Sequence, residues 1–567
     1  MRQWMVAAKK ADFYAIAEKF HVDPVVARII RNREVIGEKN IRIYLGGNLS
    51  DLSDPHQMKD MDRLVEILAQ KIRKQVHIRI IGDYDVDGVT SSHLFLTALR
   101  RVGAKVDVVI PHRIQDGYGL SLHLLQQAKE DGVDTILTCD NGIAAIDEIA
   151  WAKAQKMTVL VTDHHAVPFE EHEGRRTEKK SLAGAGVAWN VIRVLYENYD
   201  MDKREAEDLL DFVAMATVCD VMSLTGENRI LVKEGLKRIR HTKNIGLQAL
   251  MQACNVQPEN ISAYHFGYVL GPCVNATGRL DTARHALRLF ETGQETEAEE
   301  IARDLVDLNQ ERKELTLQGV EMAKKLCEEG GYENDPVLVL FLPDVHESIA
   351  GLIAGRIREM YNRPVFVLTR GEEGVKGSGR STENYSMYEN MCGCAELFTK
   401  FGGHPMAAGL SLPEENVEKF RRKINENCPL TVEEVCPDIH IDMAMPVGYA
   451  STELVHQFAL LEPFGKDNPS PLFADRNLSI SRMWVIGKNR NVLRMSVLSE
   501  YGQPVPVIFF GDVETLFAYF TEKFGQEEVE NALHGRKNRI LFSMVYTAKI
   551  DFYQGNENLQ LEMKYYR

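Results

Sequence analysis

The sequence contains little cysteine and no long apolar run. Nine cysteines in 567 residues, an odd number without any Cys-x-x-Cys pair, are typical of reduced thiols rather than of a disulfide framework. No apolar stretch approaches the roughly 18 residues that a membrane helix requires. The opening MRQWMVAAKKADFY lacks the apolar core of a signal peptide. These absences predict a cytoplasmic protein that does not engage a membrane.

Positive charge is also scarce. The 67 lysines and arginines are outnumbered by 82 aspartates and glutamates, so the formal net charge is −15. A protein coated in basic residues is excluded, although a local basic groove for nucleic acid is not. The apolar share of 44% and the charged share of 26% are those of an ordinary globular protein. A chain of this length is too long for one core, so several domains are expected.

The hydrophobic pattern divides the chain into five segments. Residues 1–75 have mostly helical periodicity and predict an N-terminal helical layer. In residues 76–290 apolar runs alternate with helical patterns, which predicts an α/β fold with a doubly wound parallel sheet. Residues 291–332 predict one long connecting helix, and residues 333–432 predict a second, smaller α/β domain. Short strands with turn breaks and one helical insert in residues 437–567 predict a β-barrel like an OB-fold.

Three predicted strands of the first sheet end in ionisable residues. They run into GDYDVDG at 82–88, TCDNG at 138–142 and TDHH at 162–165. Ligands of open α/β sheets bind at the carboxyl ends of the strands. We therefore expect one cluster formed by Asp83, Asp85, Asp87, Asp140, Asp163, His164 and His165.

A divalent metal site is the simplest interpretation of this cluster. Carboxylates packed together repel one another and raise each other's pKa values unless a cation neutralises them. Oxygen ligands with an imidazole suit Mn²⁺ or Mg²⁺, whereas structural zinc sites favour thiolates. An EF-hand calcium loop is excluded, because counting from Asp83 places Leu94 where the bidentate glutamate belongs.

Structural explanations compete with each motif taken alone. An isolated Asp-rich turn is usually a solvated loop, and a single His-His pair is usually structural. Asp220 interrupts the apolar helical stretch DFVAMATVCDVMSL, where a helix cap or a salt bridge is as good an explanation as a ligand. What favours a functional site is that three such motifs occur at successive strand ends.

These motifs resemble those of the DHH phosphoesterase superfamily, and within it the RecJ family of single-strand-specific exonucleases. The resemblance covers nearly all of residues 76–475 and implies a DHH domain, a DHH-associated domain and a terminal OB-fold. Its further motifs are PHRIQDGYGL, LAGAGVA, GPCVNATGRLDTA, LNQERKEL, HESIAGLIAGRIREMYNRPVFVL, GSGRS, FGGHPMAAGLSL and LEPFGKDNPSPLF.

The resemblance implies a role for several individual residues. The implied metal ligands are Asp83, Asp85, Asp140, His164 and Asp220, with Asp140 shared between two ions. The implied catalytic residues are His165, Arg279 and Asp163, of which His165 and Arg279 face the scissile phosphate. Asp87 and Asp163 would lie directly behind the metal ligands.

The resemblance also implies a pocket for the 5′ phosphate, which would set the polarity of cleavage. The implied substrate-binding residues are Arg113, Ser378, Arg380 and His404. For His404, in FGGHP, a structural turn is an equally good explanation. Gly377 and Gly379 of the GSGRS motif would let the backbone approach a phosphate. Tyr118, Phe509 and Phe510 are candidates for stacking on bases, although strand aromatics are more often core residues.

Two departures from the family pattern stand out. The family carries a segment like ADAIVNPKQ after its DHH motif, and this chain has the charged EEHEGRRTEKKS at 170–181. Cys273 occupies a position in GPCVNA where many relatives have arginine, which implies one basic contact fewer.

The predicted function is a Mn²⁺- or Mg²⁺-dependent 5′-to-3′ exonuclease. It would act on single-stranded DNA, release mononucleotides and serve DNA repair and recombination, with single-strand-binding protein and a RecQ-like helicase as partners that the resemblance implies. Two alternatives stay open. One is a phosphodiesterase for short oligonucleotides or cyclic dinucleotides, and the other is a non-catalytic replisome scaffold.

Overall fold

The structure, a computed structural model, divides into two compact units. It describes residues 3–113, 116–117, 119–165, 182–371, 374–487, 491–553 and 555–567. One unit consists of Ser53–Met222 and Leu231–Asp438, and the other of Gln3–Leu52, Ser223–Ile230 and Ile439–Arg567. The predicted N-terminal helical layer of residues 1–75 is therefore divided between the two units. Among the described helices, none has both the length and the apolar character that spanning a bilayer requires.

The first fifty residues form a strand and three helices of the second unit. These elements are β1 (Trp4–Val6), α1 (Phe13–Phe20), α2 (Pro24–Asn32) and α3 (Glu38–Gly46). Asp12 and Asp23 begin the first two helices, because their side chains accept hydrogen bonds from the backbone N–H groups of the first turn. The apolar faces of the helices share one core with the C-terminal strands, so this segment groups with the end of the chain.

A parallel four-stranded sheet follows, as the sequence predicts. The elements are α4 (Met61–Arg73), β2 (His77–Ile81), α5 (Val86–Arg101), β3 (Lys105–Val109), α6 (Leu122–Glu130), β4 (Thr135–Cys139), α7 (Ile146–Ala154) and β5 (Thr158–Thr162). The strand order is β3-β2-β4-β5 and every pairing is parallel. The connections reverse direction between β2 and β4, which is where open α/β sheets bind their ligands.

Helices complete this domain and lead into the next. They are α8 (Gly184–Glu197), α9 (Lys203–Glu207), α10 (Leu210–Cys219), α11 (Gly226–Ile239), α12 (Ile245–Ala253), α13 (Ala263–His265), α14 (Gly271–Leu280), α15 (Ala283–Glu291) and α16 (Glu295–Glu329). A π-helical turn, Phe266–Leu270, joins α13 to α14. The predicted connecting helix corresponds to α16, which packs against α12 and α14.

The second α/β domain is a five-stranded sheet with helices. Its elements are β6 (Leu338–Phe341), α17 (Glu347–Tyr361), β7 (Val365–Gly371), β8 (Gly374–Arg380), α18 (Met387–Cys392), β9 (Lys400–His404), β10 (Ala407–Leu412) and α19 (Val417–Glu426). The strand order is β6-β7-β8-β10-β9. In the described sheet β6 and β7 pair in parallel and the other pairs are antiparallel; β7–β8 and β9–β10 are hairpins, and β10 also pairs with β8.

The C-terminal strands close into a barrel, which fits the predicted OB-fold. The elements are β11 (Ile439–Ile441), β12 (Met443–Ala444), α20 (Thr452–Phe458), β13 (Phe473–Ile486), β14 (Val492–Leu498), β15 (Pro504–Phe510), α21 (Val513–Phe524), α22 (Gln526–Leu533), β16 (Leu541–Tyr553) and β17 (Asn556–Tyr566). The sheet runs β12-β13-β14-β15-β17-β16, and β16 pairs back with β13. Two helices stand between β15 and β16, where the sequence predicts one.

A buried arginine ties this unit together. The Arg229 side chain is 1% exposed and donates hydrogen bonds to the carbonyl oxygens of Tyr44, Leu461 and Leu460 at 2.8 to 2.9 Å. The guanidinium also lies 4.0 Å from the centre of the Tyr44 ring. The Arg229 guanidinium therefore connects its own segment with the segments around Tyr44 and Leu461.

We expect Arg229→Ala to lower the free energy of unfolding of this unit by about 3 kcal/mol, since it removes a buried guanidinium that donates three hydrogen bonds. Urea unfolding followed by tryptophan fluorescence measures the change. Arg303→Ala, which removes an exposed arginine of α16, is the control. Equal stability of the two variants would contradict this role.

Candidate active site

Side chains from three strand ends meet at the carboxyl edge of the first sheet. The pairing aligns Ile81 of β2 with Thr138 of β4, and Cys139 of β4 with Thr162 of β5. The residues that follow these strands are thus brought to one place. His164 Nε2 lies 3.0 Å from Asp140 Oδ1.

Helix α10 and helix α5 bring two further carboxylates to the same point. Asp220, at the C-terminus of α10, places its Oδ2 3.6 Å from His164 Nε2, and Asp87 Oδ2 lies 3.7 Å from it. Sets of potential ligand atoms lie within 4.8 Å of one another in three groups: Asp83, Asp85 and Asp140; Asp140, His164 and His165; Asp87, His164 and Asp220. The structure therefore brings all five predicted metal ligands together.

Asp87 is held by the start of a helix. Its Oδ2 and Oδ1 accept hydrogen bonds from the backbone N–H groups of Gly184 at 2.6 Å and Ala185 at 2.7 Å, at the N-terminus of α8. A Cβ on Gly184 would lie 2.7 Å from the Cβ of Asp140, so only glycine at position 184 lets the start of α8 lie this close to Asp140. The positive end of the helix dipole lies beside the carboxylates and reduces their repulsion.

Asp163 holds His165. Its Oδ1 pairs with His165 Nδ1 at 2.8 Å and accepts from the His165 N–H at 3.0 Å, while its Oδ2 accepts from the Ile143 N–H at 2.9 Å. Burial alone would raise the pKa of Asp163, but these hydrogen bonds lower it below its usual range. The hydrogen bond between Asp163 Oδ1 and His165 Nδ1 raises the pKa of His165. Asp163 therefore orients the imidazole and favours its charged form.

The central carboxylates are buried and repel one another. Asp83, Asp87 and Asp140 are each at most 2% exposed. Burial, and then the neighbouring carboxylates, raise the pKa of all three well above the usual range. Asp140 also has a positive φ of 61°, a costly conformation for a residue other than glycine.

An unsatisfied carboxylate oxygen and the types of donor atom show whether a cation fits this site. Within the described part of the chain, no hydrogen-bond donor reaches the buried Asp83 Oδ1. A buried carboxylate oxygen without a donor is costly unless a metal or a proton satisfies it. Carboxylate oxygens combined with imidazole nitrogens suit Mn²⁺ or Mg²⁺. The residues present fit a divalent cation.

Beside the carboxylates lies a cleft of about 750 Å³. The first domain contributes Tyr84 and Arg113, whose guanidinium lies 4.7 Å from the centre of the Tyr84 ring. The second domain contributes Lys376, Ser378 and Lys400. Tyr84 and the two lysines are not among the residues that the sequence analysis singles out.

Strand periodicity provides a signal for one of these lysines. Side chains alternate between the faces of a strand, so Lys376, Ser378 and Arg380 of β8 share one face. Gly377 and Gly379 lie on the other, where a Cβ would come within 2.4 Å of Leu368 and 2.3 Å of Met387. The missing side chains of the two glycines therefore leave room for core residues, while Gly377 also lines the cleft, and the interpretation that the backbone here approaches a phosphate stays a prediction.

Arg113, Arg279 and Arg380 lie close together at or near this cleft, and the one described carboxylate of its lining, Glu347, pairs with Lys376 at 2.8 Å. Arg279 Nη1 donates to the carbonyl oxygen of Ser348 at 2.6 Å, and Arg380 Nη1 donates to that of Gly379 at 2.7 Å. Burial, and then the charges of Arg113, Arg312 and Arg380, lower the pKa of Arg279 to about 9. Cations gathered in this way fit a phosphate.

The candidates that remain are His404, three aromatic residues, the segment at 170–181 and Cys273. His404 is exposed at the end of β9, opposite Ala407, and the described lining of the cleft does not include it. Phe509 belongs to the barrel core, while Phe510 is 57% exposed. Tyr118 and the segment at 170–181 lie outside the described residues. Cys273 is buried, with its Sγ 3.7 Å from that of Cys254.

Three protein-family models match the chain. The DHH family N-terminal domain matches residues 77–217, the DHHA1 domain residues 334–428 and the RecJ OB domain residues 441–565. Together with the acidic site, they define a metal-dependent phosphoesterase of the DHH family.

Curated relatives and a solved structure narrow this assignment. The chain is 32% identical to the single-stranded-DNA-specific exonuclease RecJ of Bacillus subtilis, over 86% of this chain and 63% of that protein. It is 31% identical to RecJ of Haemophilus influenzae over 96% of each chain. The crystal structure of RecJ from Thermus thermophilus in complex with Mn²⁺ matches all of this chain and 79% of that one, with a TM-score of 0.83 and 25% identity. The chain belongs to the RecJ family.

We expect Mn²⁺ to stabilise the first unit against thermal unfolding, since it relieves the repulsion between buried carboxylates. The stabilisation should reach about 2.7 kcal/mol at a Mn²⁺ concentration about 100 times Kd. Differential scanning calorimetry with and without chelator measures it. Asp140→Asn should lose most of this effect, whereas Asp307→Asn, on the exposed face of α16, should keep it. An equal response of both variants would contradict the site.

Asp163→Asn should lower the pKa of His165 towards its ordinary value, because the amide carries no charge. NMR titration of the histidine ring protons in metal-free protein measures the change, and the spectrum of His165→Ala assigns the signal. An unchanged pKa would show that Asp163 does not control this imidazole.

Proposed function

We propose that this chain is a single-strand-specific DNA exonuclease that cleaves from the 5′ end and releases mononucleotides. The observation that carries the proposal is the juxtaposition of a buried acidic site with the guanidinium groups of Arg113, Arg279 and Arg380 at or near the adjoining cleft. The first fits divalent cations and the second fits a phosphate. A phosphodiester at the end of a strand presents a phosphate to both.

The proposed metal ligands are Asp83, Asp85, Asp140, His164 and Asp220. Bound Mn²⁺ or Mg²⁺ supplies Lewis-acid activation of water and stabilises the oxygens of an in-line displacement. Asp140 and His164 each belong to two of the three groups of ligand atoms, and the family resemblance favours Asp140 as the residue that two ions would share. Asp87 is proposed to fix the N-terminus of α8 rather than to bind metal, since both its oxygens already accept backbone N–H groups.

Two side chains are proposed to act on the scissile phosphate. His165, held through Nδ1 by Asp163, would present its other ring nitrogen and a favoured positive charge to the phosphate oxygens. Arg279, fixed by its bond to Ser348, would add a second positive charge. Charges held in place before the reaction stabilise the developing negative charge at no reorganisation cost.

The polarity of cleavage is proposed to come from the far side of the cleft. Arg113, Ser378 and Arg380 would bind the terminal 5′ phosphate. Lys376, which pairs with Glu347 at 2.8 Å, would join them because it shares a face of β8 with Ser378 and Arg380. We propose that the bound terminal phosphate lies one nucleotide away from the cleaved bond. Cleavage would then yield mononucleotides.

The cellular setting is proposed on the family resemblance. The enzyme would act in the cytoplasm in DNA repair and recombination, with single-strand-binding protein and a RecQ-like helicase as partners. The nine described cysteines, none of them in a disulfide, agree with a reducing compartment.

Digestion of end-labelled DNA tests the proposal. Single strands with a 5′ phosphate should be degraded to mononucleotides in Mn²⁺ or Mg²⁺, while blunt duplexes should resist. Cleavage of short oligonucleotides or cyclic dinucleotides in preference to long strands would favour the small-substrate phosphodiesterase. Inactivity of folded, metal-loaded protein on every substrate would favour the scaffold.

Arg380→Ala should reduce the preference for a 5′ phosphate over a 5′ hydroxyl by about tenfold, because it removes a charge-assisted hydrogen bond to that phosphate. Competition between the two labelled strands measures the ratio. The response of the calorimetric midpoint to Mn²⁺ should stay as in the parent. An unchanged ratio would refute this role for Arg380.

A further inference from the structure

A second cavity, of about 720 Å³, lies in the first α/β domain. Its walls are helix ends: the C-terminal halves of α5, α11 and α15, and the N-termini of α10 and α12. It shares no lining residue with the catalytic cleft. Its volume is in the range of small-molecule sites, about 300 to 1,000 Å³.

The floor of this cavity is aromatic and carries one buried imidazole. His93 is 5% exposed, and its ring centre lies 4.5 Å from that of Phe212 and 5.8 Å from that of Phe290. In the described structure no hydrogen-bond partner reaches His93 Nδ1. A buried polar atom without a hydrogen-bond partner is costly, and a ligand in the cavity that bonds to Nδ1 would remove this cost.

The imidazole is electrically neutral at physiological pH. Burial, and then the positive charge of Arg100, lower the pKa of His93 to about 3. A neutral ring offers one nitrogen as a donor and the other as an acceptor. That combination between aromatic rings suits a heteroaromatic base better than an ion.

The rim of the cavity is rich in cations. It is lined by Arg100, Arg101, Lys237, Arg238 and Lys243, against the acids Asp208, Asp211 and Glu291. Arg101, Lys237 and Arg238 already pair with glutamates at 2.7 to 2.9 Å. Lys243 is 89% exposed on its side chain and only loosely paired, 3.5 Å from Asp208. Lys243 therefore has most of its capacity left for a ligand, as does the exposed Arg100, which has no ion-pair partner among the described residues.

The acids weaken rather than cancel this charge. Burial raises the pKa of Asp211 to about 6 and also raises that of Glu291. Asp211 accepts from the Thr242 hydroxyl at 2.6 Å and from the Phe212 N–H at 2.8 Å, so it is satisfied within the protein. The N-terminus of α12 begins at Ile245, in the wall, and adds its positive dipole end.

We propose that this cavity binds a nucleoside monophosphate. The base would lie against Phe212 and Phe290 and bond to His93, and the phosphate would meet Arg100, Lys243 and the N-terminus of α12. The site is separate from the metal centre, although α5 serves both. Asp85 caps that helix, and His93 lies eight residues further on, about 12 Å along its axis. The inference does not depend on the proposed nuclease activity.

Photolabelling locates the site. The full chain, in chelator, is irradiated with 8-azidoadenosine 5′-monophosphate and the labelled peptides are identified by mass spectrometry. Label is expected within residues 93–101, 208–212, 241–245 or 290–293, and unlabelled nucleotide should suppress it. Label confined to residues 348–411 would mean that only the catalytic cleft binds nucleotide, and would overturn the proposal.

A double variant tests the phosphate half. Arg100→Gln combined with Lys243→Gln should weaken this labelling at least about tenfold, as the loss of charge-assisted bonds requires. Both side chains are exposed, so the fold is expected to persist, and circular dichroism checks it. Lys325→Gln, an exposed lysine of α16, is the matched control. Equal labelling of the double variant and the control would overturn the proposal.

Competition tests the base half. Thymidine 5′-monophosphate should displace the label at a concentration at least about tenfold lower than inorganic phosphate or thymidine, since each of these makes only part of the contacts. Displacement by inorganic phosphate at the same concentration as the nucleotide would reduce the cavity to an anion site. That result would overturn the nucleotide assignment.

Discussion

The repulsion between buried carboxylates at the edge of the first sheet is the constraint that organises this protein. Three nearly inaccessible acids, Asp83, Asp87 and Asp140, share one small volume, and their pKa values are raised accordingly. Such a cluster is tolerated only when positive charge is supplied. The α8 N-terminus supplies part of it through Gly184 and Ala185. A divalent cation is the natural source of the rest.

Beside this cluster, at the cleft, positive rather than negative charges lie close together. Arg113, Arg279 and Arg380 lie close enough for their charges to lower the pKa of Arg279. They are held in place by aromatic and carbonyl groups rather than by carboxylates. The basic groups offset the repulsion between the acids only in part: the charge of Arg113 lowers the pKa of Asp83, yet that pKa stays well above the usual range. A phosphodiester satisfies both, which is why the geometry favours phosphoryl chemistry over simple ion binding.

One helix connects the acidic site with the second cavity. Helix α5 begins at the acidic site, where Asp85 caps it and Asp87 contacts α8, and its C-terminal half forms a wall of the second cavity. Its residues from Val86 to Leu96 are buried throughout, so the helix is set firmly in the domain. A ligand in the second cavity would therefore contact the same rigid element that positions two of the acids.

The sequence by itself determined that the first sheet is parallel, that two α/β domains precede a β-barrel, and which residues follow the strands of the first sheet. Hydrophobic periodicity and local motifs suffice for this, because they are properties of short segments. Strand periodicity in GVKGSGR also suffices to place Lys376 with Ser378 and Arg380. Only the tertiary structure decided that residues 3–52 join the barrel, that Gly377 and Gly379 serve core packing, and that His93 faces a cavity. These features depend on contacts between segments far apart in the chain, and no local pattern encodes which distant side chain will fill a given space.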